Sequence, residues 1–149
     1  MTGLSTGFLD ELSTDECLRL LGRRGVGRVG VVVDDYPVVV PVNYRTVEVE
    51  QGVVVVVRTQ PGSLLDRAVN VGFEVDGIDP AHRVGWSVLV RGALGHIDDA
   101  DVALLGEEID PAPWVAARTS WLVIRPAAIT GRRLRSAEVE WAFSLRGYL

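Results

Sequence analysis

The sequence predicts a mainly β protein: an antiparallel barrel with a few short helices at its corners. Three observations carry this. Val31-Val32-Val33, Val38-Val39-Val40 and Val53 to Val57 are runs of β-branched residues, which suit a buried pleated surface and are stiff in a helix. Between them stand short turn sequences, Asp34-Asp35-Tyr36-Pro37 and Glu50-Gln51-Gly52, that join neighbouring strands as hairpins. No long helical pattern alternates with the strands, as a parallel βαβ sheet would need.

The elements follow in order. Ser13-Thr14-Asp15-Glu16 is a capping box, with a hydroxyl at the N-cap and a carboxylate three residues on. It opens a helix carrying Cys17, Leu18, Leu20 and Leu21, which stops at Gly22. Gly25 to Val33 reads as a strand whose glycines admit close approach of backbone or ligand. Val38 to Val49 is a second long strand, and Pro41 marks an edge or a bulge. The valine strand from Val53 ends at Arg58-Thr59. A turn at Gln60-Pro61-Gly62 follows, and Ser63 stands as N-cap of a short helix, Leu64 to Val69. Val71 to Asp76 alternates as a half-buried strand does. Ile78 to Val84 is expected as loop, and Gly85 to Ala93 as a strand running on toward Ile97. Asp98-Asp99 opens an acidic helix through Leu105, and Pro111-Ala112-Pro113 breaks the chain. Ser120 to Arg125 is a further strand, with Ile129 to Leu134 extending the pairing. The aromatic tail, Trp141 to Leu149, takes no assignment.

Composition narrows the function. At 149 residues the chain reads as one domain, 1–149, with no repeat or linker. A net charge of −5 argues against a nucleic-acid partner. No apolar run approaches membrane-helix length, and the start, MTGLSTGFLDEL, does not resemble a signal peptide. The single cysteine, Cys17, forbids an internal disulfide and fits a reducing cytoplasm. All basic residues are arginine, so no lysine is present for Schiff-base or general-base work.

One stretch concentrates chemistry. A cation at Arg58, hydroxyls at Thr59 and Ser63 and a helix start converge there, as a phosphate site would require. An ordinary strand, turn and capped helix with a solvated arginine explains the same residues. Cys17, His82 and His96 have no metal-ligand spacing, and no nucleophile elbow or Rossmann fingerprint is present. Cys17, facing leucines, reads as buried and inert, and both histidines as solvated. Asp98-Asp99 and Glu107-Glu108 read as solvated acidic pairs. Trp86, Trp114, Trp121 and Trp141 suit an interface or a flat ligand as well as a core. Gly131-Arg132-Arg133-Leu134-Arg135 is the one dense basic patch.

Taken in order, Leu12-Ser13 through Glu16-Cys17-Leu18, Gly27-Arg28-Val29-Gly30, Pro41-Val42-Asn43-Tyr44, Arg58-Thr59 with Gly62-Ser63, Phe73-Glu74-Val75-Asp76, Gly85 to Gly92 and Ile129-Thr130-Gly131-Arg132-Arg133 resemble the pyridoxamine 5′-phosphate oxidase-like flavin-binding proteins, in the branch near the nitroimidazole-resistance proteins. The resemblance implies an antiparallel split β-barrel of the FMN-binding type. It implies a homodimer with cofactor sites at the interface and an oxidoreductase acting on a small molecule, in the cytoplasm that the lone cysteine fits. Arg58, Thr59, Ser63 and Leu64 would hold the FMN phosphate, and Val42 and Asn43 would lie along the ring. Trp86, Arg132 and Arg133 would close the pocket, some from the second subunit. Relatives often carry lysine where this chain has Leu64. The change leaves two other outcomes open: an F420-dependent reductase, for which Arg132, Arg133 and Arg135 would meet the anionic tail, and a non-catalytic flavin- or haem-binding protein.

Overall fold

The computed structural model describes residues 7–23, 25–97 and 120–136. In chain order they form β1 (Phe8–Glu11), helix α1 (Thr14–Leu21), β2 (Gly25–Val33), β3 (Tyr36–Val49) and β4 (Gly52–Thr59). A 3₁₀ turn (Leu64–Arg67), β5 (Asn70–Asp79), β6 (Val84–His96) and β7 (Ser120–Arg135) complete them. The sheet order is β1-β7-β4-β3-β2-β5-β6, and β6 also pairs with β7. Six strands therefore close into a barrel-like ring, with every pairing antiparallel. One edge of β7 is divided: Ser120 to Ile124 pairs with β4, and Arg132 to Arg135 pairs with β1.

The predicted antiparallel architecture is the observed one, and its elements have local causes. The capping box at Ser13 and Glu16 is formed in both directions. Gly22 ends α1 in the right-handed region, at φ −64°, so its lack of a Cβ is not what stops the helix. The β2–β3 hairpin turns on Asp34 and Asp35, both left-handed (φ 48° and 65°), as tight two-residue hairpins require. Tyr36 and Pro37, expected in the turn, already belong to β3. Pro41 sits where β3 has β2 on one side and no β4 partner on the other, the edge position expected of it. Gly27 makes room for Phe73: a Cβ there would come within 2.4 Å of two ring atoms.

Several expectations need correction. The loop assigned to Ile78–Val84 is shorter, because β5 runs to Asp79 and β6 starts at Val84. The two C-terminal segments are one strand, β7, which absorbs Pro126 at a bulge where Arg91 pairs with Ala128 and Gly92 with Pro126. β1 was not foreseen, since four mostly exposed residues give no periodic signal. The helix expected over Leu64–Val69 is a single 3₁₀ turn. Leu65 anchors it in the core, and the Leu94 N–H draws Val69 back toward the sheet at 2.8 Å. The acidic helix from Asp98, the Pro111–Pro113 break, Glu107-Glu108, Trp114 and the tail from Trp141 lie outside the described residues.

The core lies inside the ring. Val29, Val55, Val57, Phe73, Val88, Val90, Leu122 and Ile124 are fully buried, and Cys17, Leu20 and Leu21 of α1 join them. Cys17 packs so tightly on β7 that a Cβ at Gly131 would meet its sulfur at 2.6 Å, and burial pushes the thiol pKa up. Tyr44 rests edge-on against Phe73 at 4.9 Å, with its hydroxyl 2.6 Å from the Arg23 carbonyl and 3.0 Å from that of Leu21. Among the described residues no helix is long and apolar enough to cross a membrane.

Candidate functional site

Cross-strand register builds the site. Asn43 of β3 pairs with Arg58 of β4, and Arg58 with Trp121 of β7. Alternation turns this row outward, since Val57 and Leu122 beside it point into the core. The Arg58 guanidinium lies over the Trp121 ring, 4.6 Å from its centroid, and the ring orients it. Val42 is buried in the core and can offer only its backbone outward. The next row holds Arg45, itself buried, with Val56 and Val123.

The chain then leaves β4 and turns at Gly62, which takes a left-handed φ of 77°. Two hydroxyls flank the turn, Thr59 Oγ1 before it and Ser63 Oγ after it, both buried and without a hydrogen-bond partner among the described residues. Ser63 sits at the N-cap position in extended backbone, yet its side chain caps nothing. The dipole of a full helix is also absent, because the turn has only four residues. Instead the Asp66 carboxylate accepts the Gly62 N–H through Oδ2, while Oδ1 is buried and unpartnered. This acid opposes an anion at the turn. His96 reaches the Asp66 carbonyl through Nε2 at 3.1 Å. Leu64 is half-exposed and brings no charge.

The other expected residues lie elsewhere. Trp86 pairs with Arg133 across β6 and β7, and Ser87 with Arg132. Arg133 is twelve positions from Trp121 on β7, about 40 Å along an extended strand. Within one chain the Arg58 cluster and the Trp86 cluster are therefore apart. Trp86 covers Gly77, where a Cβ would stand 2.7 Å from the indole nitrogen. It borders an apolar cavity of about 790 Å³ with Ile78, Val84, Leu134 and Arg133. The basic patch is partly neutralised: Arg133 lies 3.7 Å from Glu16, and Arg135 bonds Asp10. The Arg135 hydrogen bond holds the Asp10 carboxyl below its usual range.

The histidines are occupied. His82 pairs with Asp79 at 2.6 Å, and that hydrogen bond lowers the Asp79 pKa. No group of three potential metal ligands occurs among the described residues. Sequence reasoning missed Trp121 as the platform for Arg58, and Asp66 as the acid of the turn. Trp121 lies far along the chain, and only strand register brings it there.

The pyridoxamine 5′-phosphate oxidase family model matches residues 13–133. The uncharacterized protein Rv0080 of Mycobacterium tuberculosis is 33% identical over 133 residues, covering 83% of this chain and 84% of its own. The solved FAD binding protein from Mycobacterium smegmatis is 37% identical, with a TM-score of 0.68, covering 85% of this chain and 98% of its own. A conserved protein of unknown function from Corynebacterium diphtheriae is 25% identical, with a TM-score of 0.71, covering 83% and 96%.

Proposed function

The chain belongs to the pyridoxamine 5′-phosphate oxidase family, and on that premise we propose that it binds a flavin nucleotide and acts as a flavin-dependent oxidoreductase. The observation that carries this is the pair of buried, unpartnered hydroxyls, Thr59 Oγ1 and Ser63 Oγ, one residue and one turn beyond Arg58. A buried hydroxyl left without a partner costs about 1–3 kcal/mol. A phosphate would give both a hydrogen bond, with Arg58 supplying charge. Asn43, next to Arg58 in register, offers an amide to the ribityl chain or ring edge. Val42 offers backbone only.

The flavin, when bound, supplies the hydride or electron chemistry. The chain's own residues bind, orient and shield. Trp121 fixes Arg58, the Gly62 turn presents Ser63, and the packed ring holds both in place. FMN is the reading we adopt from the compact Arg58–Ser63 cluster. FAD is the second reading, favoured by the 37% identical relative that is an FAD binding protein.

We extend the proposal to a homodimer. Arg132 and Arg133 on β7, and Trp86 paired with Arg133 from β6, are too far from Trp121 to reach a mononucleotide held at Arg58 of their own chain. A second copy would bring them to it.

The test is a titration of the purified chain with FMN, FAD and F420, followed by tryptophan quenching and by the absorption spectrum. Saturable flavin binding is expected. Arg58→Ala should weaken it by about one to two decades, the equivalent of about 1.5–3 kcal/mol for a charged hydrogen bond. Wild-type affinity in Arg58→Ala would overturn the phosphate assignment. Binding of F420 alone, or of no flavin, would overturn the cofactor.

A further inference from the structure

A second concavity lies on the outer face of the ring and is lined by none of the Arg58-cluster or Trp86-cluster residues. It spans the far halves of β2 and β3, the start of β5 and the β6–β7 bulge, and encloses about 940 Å³. Its floor is Gly30 and Gly72, which face each other across β2 and β5. Neither glycine is needed for packing. A Cβ on Gly30 would meet only the Gly72 carbonyl oxygen at 3.8 Å, and one on Gly72 only a Leu89 methyl at 3.9 Å. Both glycines lie inside strands, where they weaken the sheet. Their absence of side chains leaves a flat gap two strands wide.

The walls are apolar and open to water. Val32 is 73% exposed, Val39 65% and Leu89 40%. At the bulge end stand Arg91 and Arg125, both exposed and lining the same groove. Neither has a hydrogen-bond or ion-pair partner among the described residues, in contrast to Arg28, Arg133 and Arg135. No described carboxylate lines the groove. Among the described residues these two positive charges have no acidic partner, on a chain of net charge −5. A cavity of this size with apolar walls and a few convergent polar groups is what small-molecule sites are built from.

We propose that this groove binds a flat, apolar organic anion, its ring lying on the Gly30–Gly72 floor and its carboxylate or sulfonate held by Arg91, while Arg125, whose Nη1 lies against Gly95, adds positive charge at the bulge end. Arginine forks match such groups with two parallel hydrogen bonds. The groove shares no lining residue with the Arg58 cluster. Val39 is four positions from Asn43 on β3, about 13 Å along the strand.

The probe is 8-anilinonaphthalene-1-sulfonate, titrated by fluorescence into the full chain, with light scattering recorded on the same samples. One saturable site is expected. Arg91→Gln and Arg125→Gln should each weaken it about tenfold, as loss of one charged hydrogen-bonding group does. Gly72→Val fills the floor and should abolish the signal while circular dichroism stays that of the wild type, since a strand accepts valine there. Arg19→Gln, an exposed helix arginine, should bind as the wild type does. No saturable binding, or affinities unchanged by all three groove substitutions, would overturn the proposal. So would scattering that shows a dimer becoming monomer in Gly72→Val, because the groove would then be a contact between copies.

Discussion

Thr59 and Ser63 carry hydroxyls that the polypeptide itself does not use. That gives them an opposite sign in the free and the bound protein. Thr59→Val and Ser63→Ala remove an uncompensated buried group, so each should stabilise the ligand-free chain by about 1 kcal/mol. Each should also shrink the flavin-induced rise in Tm. Thermal scans with and without flavin check both signs, and a substitution that lowered both values would contradict the assignment. Tyr44 behaves differently, because its hydroxyl is satisfied and its ring is buried. Burial pushes its pKa up to about 12. A phenol raised in the fold is stabilising below the unfolded value near 10, and its contribution is lost as the pH rises toward 12. Stability should therefore fall by about 2 kcal/mol across that window. Tyr44→Phe should flatten that fall while costing about 1 kcal/mol at neutral pH from the lost hydrogen bond. Chemical denaturation between pH 9 and 12 tests it.

Glycines divide the strands into tight and open positions. Gly92 sits at the β6–β7 bulge, where a Cβ would come within 2.2 Å of the Arg125 carbonyl oxygen. Backbone cannot yield there as a side chain would. Gly92→Val should cost more than about 3 kcal/mol, the range of severe overpacking, whereas Gly72→Val should leave urea stability within about 0.5 kcal/mol. Equal losses for the two would mean that the bulge is not the constraint. Most elements were legible beforehand. Valine runs, the capping box and the Asp34-Asp35 turn are local signals, and local physics forms them. β1 was not legible, because its pairing with Arg132 to Arg135 is a property of two distant segments. The Leu64 segment resembled a helix start, but burial of Leu65 and the Asp66–Gly62 bond close it after one turn.

At the scale of the molecule, β7 sets the geometry. It pairs with β6 on one side, and with β4 and then β1 on the other, so its two ends face different surroundings. Trp121 at one end carries Arg58, and Arg133 at the other accompanies Trp86. If a flavin needs both ends, two chains must meet. Arg58→Ala and Arg133→Ala chains, each deficient alone, should recover about a quarter of wild-type flavin sites when refolded together in equal amounts. Half of the dimers are then mixed, and each mixed dimer has one intact site of two. Recovery of none would show that one chain builds the site.

The sequence by itself determined the antiparallel β class, the capped helix, the family and the nomination of Arg58, Thr59 and Ser63, because each rests on neighbours in the chain or on ordered motifs. Only the tertiary structure decided that Trp121 orients Arg58, that Asp66 faces the same turn, that the Trp86 cluster stands apart, and that Gly30, Gly72, Arg91 and Arg125 share one groove. Those are facts of strand register and ring closure. They bring together residues far apart in the chain, and no local propensity encodes which row meets which.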